Sequence, residues 1–204
     1  MLTDIQIWSL AKKMNVPLVF CDFKSKLTKT KLQYNKFYIL NMEDEFDEDG
    51  KPNDGSHYVA LQCNKYPNGK IENCYFDSFG APPPEVVIKF CGGGHVPYNT
   101  KDIQSLMNSA CGFYCLAWGH FINAYEQRSK DLYSDCENFT EMFDDLNKSI
   151  DFKKNEYILK MFFQSSDKAI RDANPIDVLG ELKPGEAVDI NTITSQDIRD
   201  KKHL

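Results

Sequence analysis

The spacing of hydrophobic and polar residues in the first part of the chain predicts one helix and two strands. Residues 3–14 carry apolar side chains at intervals of three and four, as one face of an amphipathic helix does. Thr3, with Gln6 three positions later, has the form of a capping box at the start of that helix. The runs 18–23 and 36–42 are apolar and rich in strand formers, so we expect a short strand in each.

A β-hairpin is predicted in the middle of the N-terminal half. Two segments in which apolar and polar residues alternate, 56–66 and 71–80, flank a short turn. The turn residues 67–69 are Pro-Asn-Gly, which fit a type I turn followed by Gly69 in the left-handed region. The pattern therefore predicts two antiparallel strands joined by a three-residue loop with a bulge.

The turn also determines which side chains share a face of this hairpin. In the register of a three-residue loop, Leu61 faces Tyr75, and His57 and Asp77 are diagonal neighbours on one face. A two-residue Asn-Gly turn would shift the register by one residue and place His57 and Asp77 on opposite faces. The predicted proximity of these two side chains therefore depends on Pro67.

A broadly apolar helix is predicted after residue 108. Asn108 or Ser109 is the expected cap, and Cys111 falls in the first turn. Its apolar face is too wide for a surface helix, so the helix should lie at the centre of the fold. This face comprises Ala110, Phe113, Tyr114, Ala117, Trp118, Phe121 and Ile122.

The other segments have weaker patterns. Residues 81–100 begin with a run of prolines and contain three consecutive glycines, which is typical of a connecting excursion. An amphipathic helix is expected at 139–146 and an apolar element of undetermined type at 155–164. We assign residues 1–165 to one domain and expect the polar residues 166–204 to form a tail that is partly ordered or docked.

The composition limits the possible functions. The 204 residues are 42% hydrophobic, which is enough for a sizeable core, and the net charge of -6 disfavours nucleic acid as a partner. No apolar run approaches the roughly 18 residues of a membrane span, and no signal-peptide pattern stands near the N-terminus. Together with an odd number of cysteines, seven, these features favour an intracellular, reducing location.

Potential metal ligands lack the spacing that a metal site requires. Cys111 and Cys115 have no second close pair of Cys or His, so we expect no zinc and no other metal or cofactor. Six acidic residues stand among the seven positions from Glu43 to Asp49. A solvated loop is the main interpretation of this run, and a substrate-facing or ion-binding rim is the alternative.

Four positions together would support amide hydrolysis by a thiol, which needs a thiolate, a base, a group that orients the base and oxyanion donors. Cys111 is the candidate nucleophile, because a helix N-terminus lowers the pKa of a thiol and Gly112 lets a substrate backbone approach. His57, at a strand start, is the candidate base, and Asp77 would fix its tautomer. Gln104, seven positions before Cys111, would donate to the oxyanion together with the Cys111 backbone N–H.

Each of these residues has a structural alternative. A helix Cys is commonly inert core, a strand His is commonly structural, and an Asp before Ser-Phe-Gly is a common turn former. His95 in the glycine-rich loop is a competing base, whereas His120 lies too far along the helix axis from Cys111 to serve it. A non-enzymatic domain that binds a basic partner through the acidic run and the tail is a further alternative, and it predicts an unreactive Cys111.

Three motifs resemble those of a known protease family. Residues 56–60 (SHYVA), residues 75–80 (YFDSFG), and Gln104 followed after six residues by 111–115 (CGFYC) are similar to the His, acid and Gln-to-Cys motifs of the adenovirus-type (adenain-like) maturation proteases. They resemble, more distantly, the Ulp-type proteases that process SUMO. Residues 2–18 further resemble the opening of proteases from virophages and Polinton-like elements.

The resemblance implies an α+β fold in which a mixed sheet packs against a central helix that carries the nucleophile. It carries over His57, Asp77 and Cys111 as a triad and Gln104 as the oxyanion donor. The implied reaction is cleavage of capsid or virion precursor proteins after a small residue such as Gly, by a monomer, in the virion and the virus factory of the host cytoplasm. A SUMO-type deconjugating protease is the alternative that uses the same triad.

Two positions depart from the family patterns. Tyr58 follows His57 where both families usually place Trp, which keeps an aromatic side chain but alters the groove. Asp77 stands where many adenoviral enzymes have Glu, and it matches the Ulp pattern. In the adenoviral family DNA and a short peptide act as cofactors, whereas the acidic charge of this chain predicts weak or absent activation by DNA.

Overall fold

A four-stranded mixed sheet lies at the centre of the fold. The structure is a computed structural model that describes residues 2–106, 108–124, 131–148 and 152–164. The strands lie side by side in chain order, the first pair parallel and the next two pairs antiparallel. They are β1 (Leu18–Phe23), β2 (Lys36–Asn41), β3 (Tyr58–Lys65) and β4 (Ile71–Phe76).

Helices cover this sheet, so the α+β class expected from the sequence is confirmed. Within the described ranges, no helix is both long enough and apolar enough to cross a bilayer. The helical elements are α1 (Asp4–Lys13), a 3₁₀ helix (Lys24–Lys29), α2 (Glu85–Phe90), α3 (Cys111–Ala124), α4 (Leu132–Glu141) and α5 (Lys153–Phe162).

Helix α1 begins at the predicted capping box. The backbone N–H of Thr3 donates to Gln6 Oε1 at 2.8 Å, and the backbone N–H of Gln6 donates to Thr3 Oγ1 at 3.3 Å. These bonds satisfy backbone donors that a helix start otherwise leaves unpaired. The buried face of α1 carries Ile7 and Leu10, and through it the helix packs on β1 and α3.

The hairpin of β3 and β4 has the predicted turn and register. The Tyr66 backbone N–H donates to the Lys70 carbonyl at 2.9 Å, and Gly69 has a φ of +84°, which only glycine adopts readily. Leu61 therefore pairs with Tyr75, as the three-residue loop requires. The register brings the first residue before β3 next to the first residue after β4.

Both faces of the sheet are buried. Alternate residues of β2 point to opposite sides, so Phe37 and Ile39 join the core formed with α1, α3, α4 and α5, whereas Tyr38 and Leu40 join a second core formed with the 3₁₀ helix and α2. Every residue of α3 from position 113 to 118 is fully buried. The predicted central position of this helix is confirmed.

Because both faces of the sheet are buried, the alternation of polar and apolar residues in β3 does not mark a solvent-facing side. Gln62 and Asn64 alternate with apolar residues as solvent-facing residues do, yet they are only 1% and 2% exposed. Gln62 Nε2 donates to Asn64 Oδ1 at 2.6 Å, and Asn123 Nδ2 of α3 donates to Gln62 Oε1 at 3.5 Å. These polar groups bond to one another under α3 instead of facing water, although Asn64 Nδ2 has no hydrogen-bond partner among the described residues.

Several element bounds differ from those expected from the sequence. The helix predicted at 139–146 is wrong in its bounds, because Asp131 accepts the backbone N–H of Ser134 and caps α4 at an earlier position. The apolar element at 155–164 is helix α5, and the short helix α2 lies within the predicted excursion. The tail expected at 166–204 lies outside the described residues.

Replacing Gly119 with Ala should destabilise the fold. A Cβ at this position of α3 would lie 2.9 Å from both the Phe37 ring and Val16 Cγ1, and both side chains are buried. Overpacking typically costs about 1–3 kcal/mol, while the higher helix propensity of Ala offsets about 1 kcal/mol. We expect a lower free energy of unfolding in urea, whereas Gly94→Ala, at an open position, should leave it unchanged.

Candidate functional site

The candidate base, His57, lies directly before β3. Its carbonyl accepts the backbone N–H of Met42 at 2.8 Å, which extends the pairing of β3 with β2 and fixes the backbone. The imidazole Nε2 lies 2.8 Å from Asp77 Oδ1, so the predicted proximity of these two side chains is confirmed. The ring also packs on that of Phe79, with the ring centroids 4.7 Å apart.

The candidate orienting group, Asp77, follows β4 and is 2% exposed. Its Oδ1 atom also accepts the backbone N–H of Phe79 at 2.8 Å. Asn99 brackets the backbone: its Oδ1 accepts the Asp77 N–H at 2.9 Å, and its Nδ2 donates to the Asp77 carbonyl at 2.6 Å. Gly80 lets the chain next to Asn99 come this close, because any Cβ at position 80 would lie 2.7 Å from the Thr100 backbone.

The candidate nucleophile, Cys111, is the first residue of α3 and is 2% exposed. The Ala110 carbonyl accepts the backbone N–H groups of Phe113 and Tyr114, so Ala110 stands at the cap position. The predicted cap at Asn108 or Ser109 is therefore wrong. Asn108 instead holds the cap residue itself, because its Oδ1 accepts the Ala110 backbone N–H at 3.3 Å.

Asp77 and Cys111 together raise the pKa of the His57 imidazole. Burial lowers this pKa, but the hydrogen bond and charge of Asp77, together with the nearby Cys111 side chain, outweigh burial and raise the pKa to about 9. The imidazolium form is therefore favoured at neutral pH. Because Nε2 contacts Asp77, Nδ1 is the nitrogen available to the sulfur.

The candidate oxyanion donor, Gln104, is 2% exposed and fixed at both ends of its carboxamide. Ser78 Oγ donates to Gln104 Oε1 at 2.8 Å, and Gln104 Nε2 donates to the Asn108 carbonyl at 3.1 Å. A carboxamide carries two N–H donors, and the bond to Asn108 uses one of them. Gln104 is thus joined through Asn108 to the start of α3. Through Ser78, the residue after Asp77, it is joined to the segment that follows β4.

A cavity of about 410 Å³ opens beside these residues. Leu2, which lines it, also packs against Gly112, the residue after Cys111. Tyr58, the residue after His57, forms another part of the wall, and burial, together with the charges of Cys21 and Asp4, raises the pKa of its hydroxyl to about 12. The cavity therefore reaches the neighbours of Cys111 and His57, whereas none of the four candidate site residues itself lines it.

The two competing histidines lie elsewhere. His95 is exposed and lines a separate groove with residues 70–73 at the start of β4, which is the opposite end of that strand from Asp77. His120 Nδ1 contacts the Met14 carbonyl at 2.8 Å and ties α3 to the end of α1. Neither ring is placed to serve Cys111.

The acidic run at 43–49 forms an exposed loop that is partly paired with the 3₁₀ helix. Lys24 lies 3.9 Å from Asp44, and Lys26 lies 3.1 Å from Glu45. Surface pairs of this kind contribute little to stability. Among the described residues, no group of three or more His, Cys, Asp or Glu side chains is arranged to hold a metal ion.

The sequence did not reveal that three further residues hold the site residues in place. Asn99 holds Asp77, and its loop carries no signal that distinguishes it. Asn108 was considered only as a helix cap, although it bonds to Gln104. Glu156, whose Oε1 accepts from Asn108 Nδ2 at 2.7 Å, is a buried acid on α5. Its only signal in the sequence was the presence of an acid within a mostly apolar segment. A carboxyl that is buried there requires a partner.

Comparison of the chain with known protein families finds no family that matches, and comparison with curated proteins finds none that is similar.

Replacing His57 with Gln should change how stability depends on pH. The folded-state pKa of about 9 exceeds the ordinary 6.5, so the stabilisation is fully present below pH 6.5 and is lost as the pH rises through 9. We expect the difference in unfolding free energy between wild type and His57→Gln to shrink by roughly 2–3 kcal/mol over this range in urea titrations. A difference that stays constant with pH would contradict this assignment.

The same substitution in an Asp77→Asn background provides the control. The hydrogen bond to Asp77 contributes most to raising the His57 pKa. Without the carboxylate, the pH dependence that His57 contributes should therefore become weaker.

Proposed function

We propose that this chain is a cysteine endopeptidase. Cys111 is the nucleophile, His57 the base, Asp77 the group that orients the base, and Gln104 together with the Cys111 backbone N–H the oxyanion donors. One observation carries the proposal: His57 Nε2 is bonded to a buried carboxylate, and Asp77 and Cys111 raise the pKa of the imidazole to about 9, which favours an imidazolium beside the candidate nucleophile.

The geometry supports acyl transfer in two stages. The Cys111 thiolate attacks the carbonyl carbon of a peptide bond, and the C=O electron pair moves onto an oxyanion near the start of α3. The oxyanion collapses as the C–N bond breaks, and the His57 imidazolium gives its proton to the leaving amine. His57 then removes a proton from water, which attacks the thioester and releases the acid and Cys111.

The burial of Cys111 supports a small residue before the scissile bond. Its side chain is only 2% exposed, so a residue without a bulky side chain reaches the sulfur with the least rearrangement of the surrounding residues. This agrees with a preference for Gly. By the sequence resemblance, we propose an adenain-like maturation protease that cleaves virion precursor proteins in the virion and the host cytoplasm.

Replacing Cys111 with Ala should abolish peptide hydrolysis without unfolding the protein. We expect kcat/KM on Gly-containing precursor peptides to fall by at least about 10³-fold for Cys111→Ala and for His57→Ala. Circular dichroism and urea unfolding check that both variants remain folded. A SUMO fusion tested beside these peptides distinguishes a maturation protease from a SUMO-type deconjugase.

Iodoacetamide labelling at pH 6–7 provides a readout that needs no substrate. The thiolate reacts, not the thiol, so Cys111 should be alkylated faster than an exposed model thiol such as N-acetylcysteine. Cys91 is the competing site, because it is partly exposed and its hydrogen bond with Cys63 lowers the pKa of its thiol. Cys111→Ala should remove the phase that Cys91→Ala leaves intact, and His57→Ala should slow it. A Cys111 that labels no faster than the model thiol would instead favour the non-enzymatic alternative.

Added DNA should not activate this protease. The chain has 30 acidic and 24 basic residues, so a polyanion has no overall charge attraction to it. We expect kcat/KM with and without DNA to agree within about twofold at low salt. A strong rise in activity that salt reverses would show that a local basic surface overrides the net charge.

A further inference from the structure

Two buried polar residues at the start of α5 hold the segment that leads into Cys111. Asn155 is fully buried, and its Nδ2 donates to the carbonyls of Ile103 at 3.1 Å and Asp144 at 2.7 Å. Glu156, the next residue, is 2% exposed and accepts from Asn108 Nδ2 at 2.7 Å. These bonds hold both ends of the loop that contains Gln104.

Asn108 connects this carboxylate to the candidate oxyanion donors. Its carbonyl accepts from Gln104 Nε2, and its side-chain Oδ1 accepts the Ala110 N–H just before α3. A rotation of the Asn108 carboxamide would therefore release the start of α3 and disturb the acceptor that orients Gln104. The bond to Glu156 opposes that rotation.

Burial of the Glu156 carboxyl is costly. It raises the pKa of this carboxyl to about 7, although the hydrogen bond from Asn108 and the positive charge of Lys160, one turn further along α5, oppose the shift. An apolar side chain of similar size would avoid the desolvation of the carboxyl, but it would remove a negative charge close to the fully buried Lys160. Gln would also lack that charge, and of the two replacements only Gln could accept a hydrogen bond from Asn108.

We propose that Glu156 is a positioning residue for the oxyanion donors. Its carboxylate holds Asn108 so that the Gln104 amide and the backbone at the start of α3 have the orientation that a developing oxyanion requires. This inference rests on the proposed peptidase function. Glu156 itself does not touch the reacting atoms and acts through Asn108.

Glu156→Leu and Glu156→Gln form a matched pair that tests the inference. Gln keeps an oxygen that can accept from Asn108, whereas Leu removes it at similar volume. Loss of an oxyanion donor lowers kcat by about 10²–10³-fold, so misplacement of one should lower kcat by roughly 10–100-fold in Glu156→Leu, with little change in KM. Glu156→Gln should stay within about threefold of wild type.

Alkylation of Cys111 separates positioning from general damage. Iodoacetamide reacts with the thiolate and forms no oxyanion, so Glu156→Leu should keep the wild-type alkylation rate while kcat falls. An equal fall of both quantities, or a Glu156→Gln variant as impaired as Glu156→Leu, would overturn the inference. If Glu156→Leu does not fold, Asn108→Ala tests the same link from the other side, and it should lower kcat while sparing alkylation.

Hydrogen exchange distinguishes a failure of this inference from a failure of the proposed function. A wild-type protein that hydrolyses no peptide would reject the peptidase. In that case amide exchange of residues 103–110 still decides whether Glu156 holds the loop. Faster exchange there in Glu156→Leu than in Glu156→Gln supports the positioning role, and equal exchange rejects it.

Discussion

The burial of α3 is the constraint on which the rest of the structure depends. The helix is apolar over most of its circumference, so it needs cover from the sheet on one side and from α1, α4 and α5 on the others. Its N-terminus cannot then lie on an open surface. Cys111 is held at a fixed place beside the ends of β3 and β4, where the chain enters and leaves the hairpin.

This burial has a second consequence, because it brings polar groups into the interior. Asp77, Gln104 and Asn108 are nearly inaccessible, and each is fixed by hydrogen bonds. Such groups are expensive to bury without partners, and once paired they have few alternative orientations. The site therefore owes its geometry to ordinary rules of polar burial, and a catalytic site gains preorganisation from the same bonds.

Helix α5 contributes to the site although it lies more than 40 residues after Cys111 in the chain. It supplies apolar cover for α3 through Leu159, while Asn155 and Glu156 hold the loop before Cys111. Leu159 stands three and four residues after Glu156 and Asn155, so packing and positioning are functions of the same buried face of one helix. A substitution on α5 can affect the site without approaching the sulfur.

Local patterns determined much of this protein by themselves. The capping box of α1, the Pro-Asn-Gly turn and the apolar width of α3 depend on neighbouring residues, so the sequence predicts them and the hairpin register that brings His57 to Asp77. Only the tertiary structure decided that Gln62 and Asn64 are buried and that Glu156 reaches Asn108. These contacts join segments far apart in the chain, and no local period encodes which buried polar groups will meet.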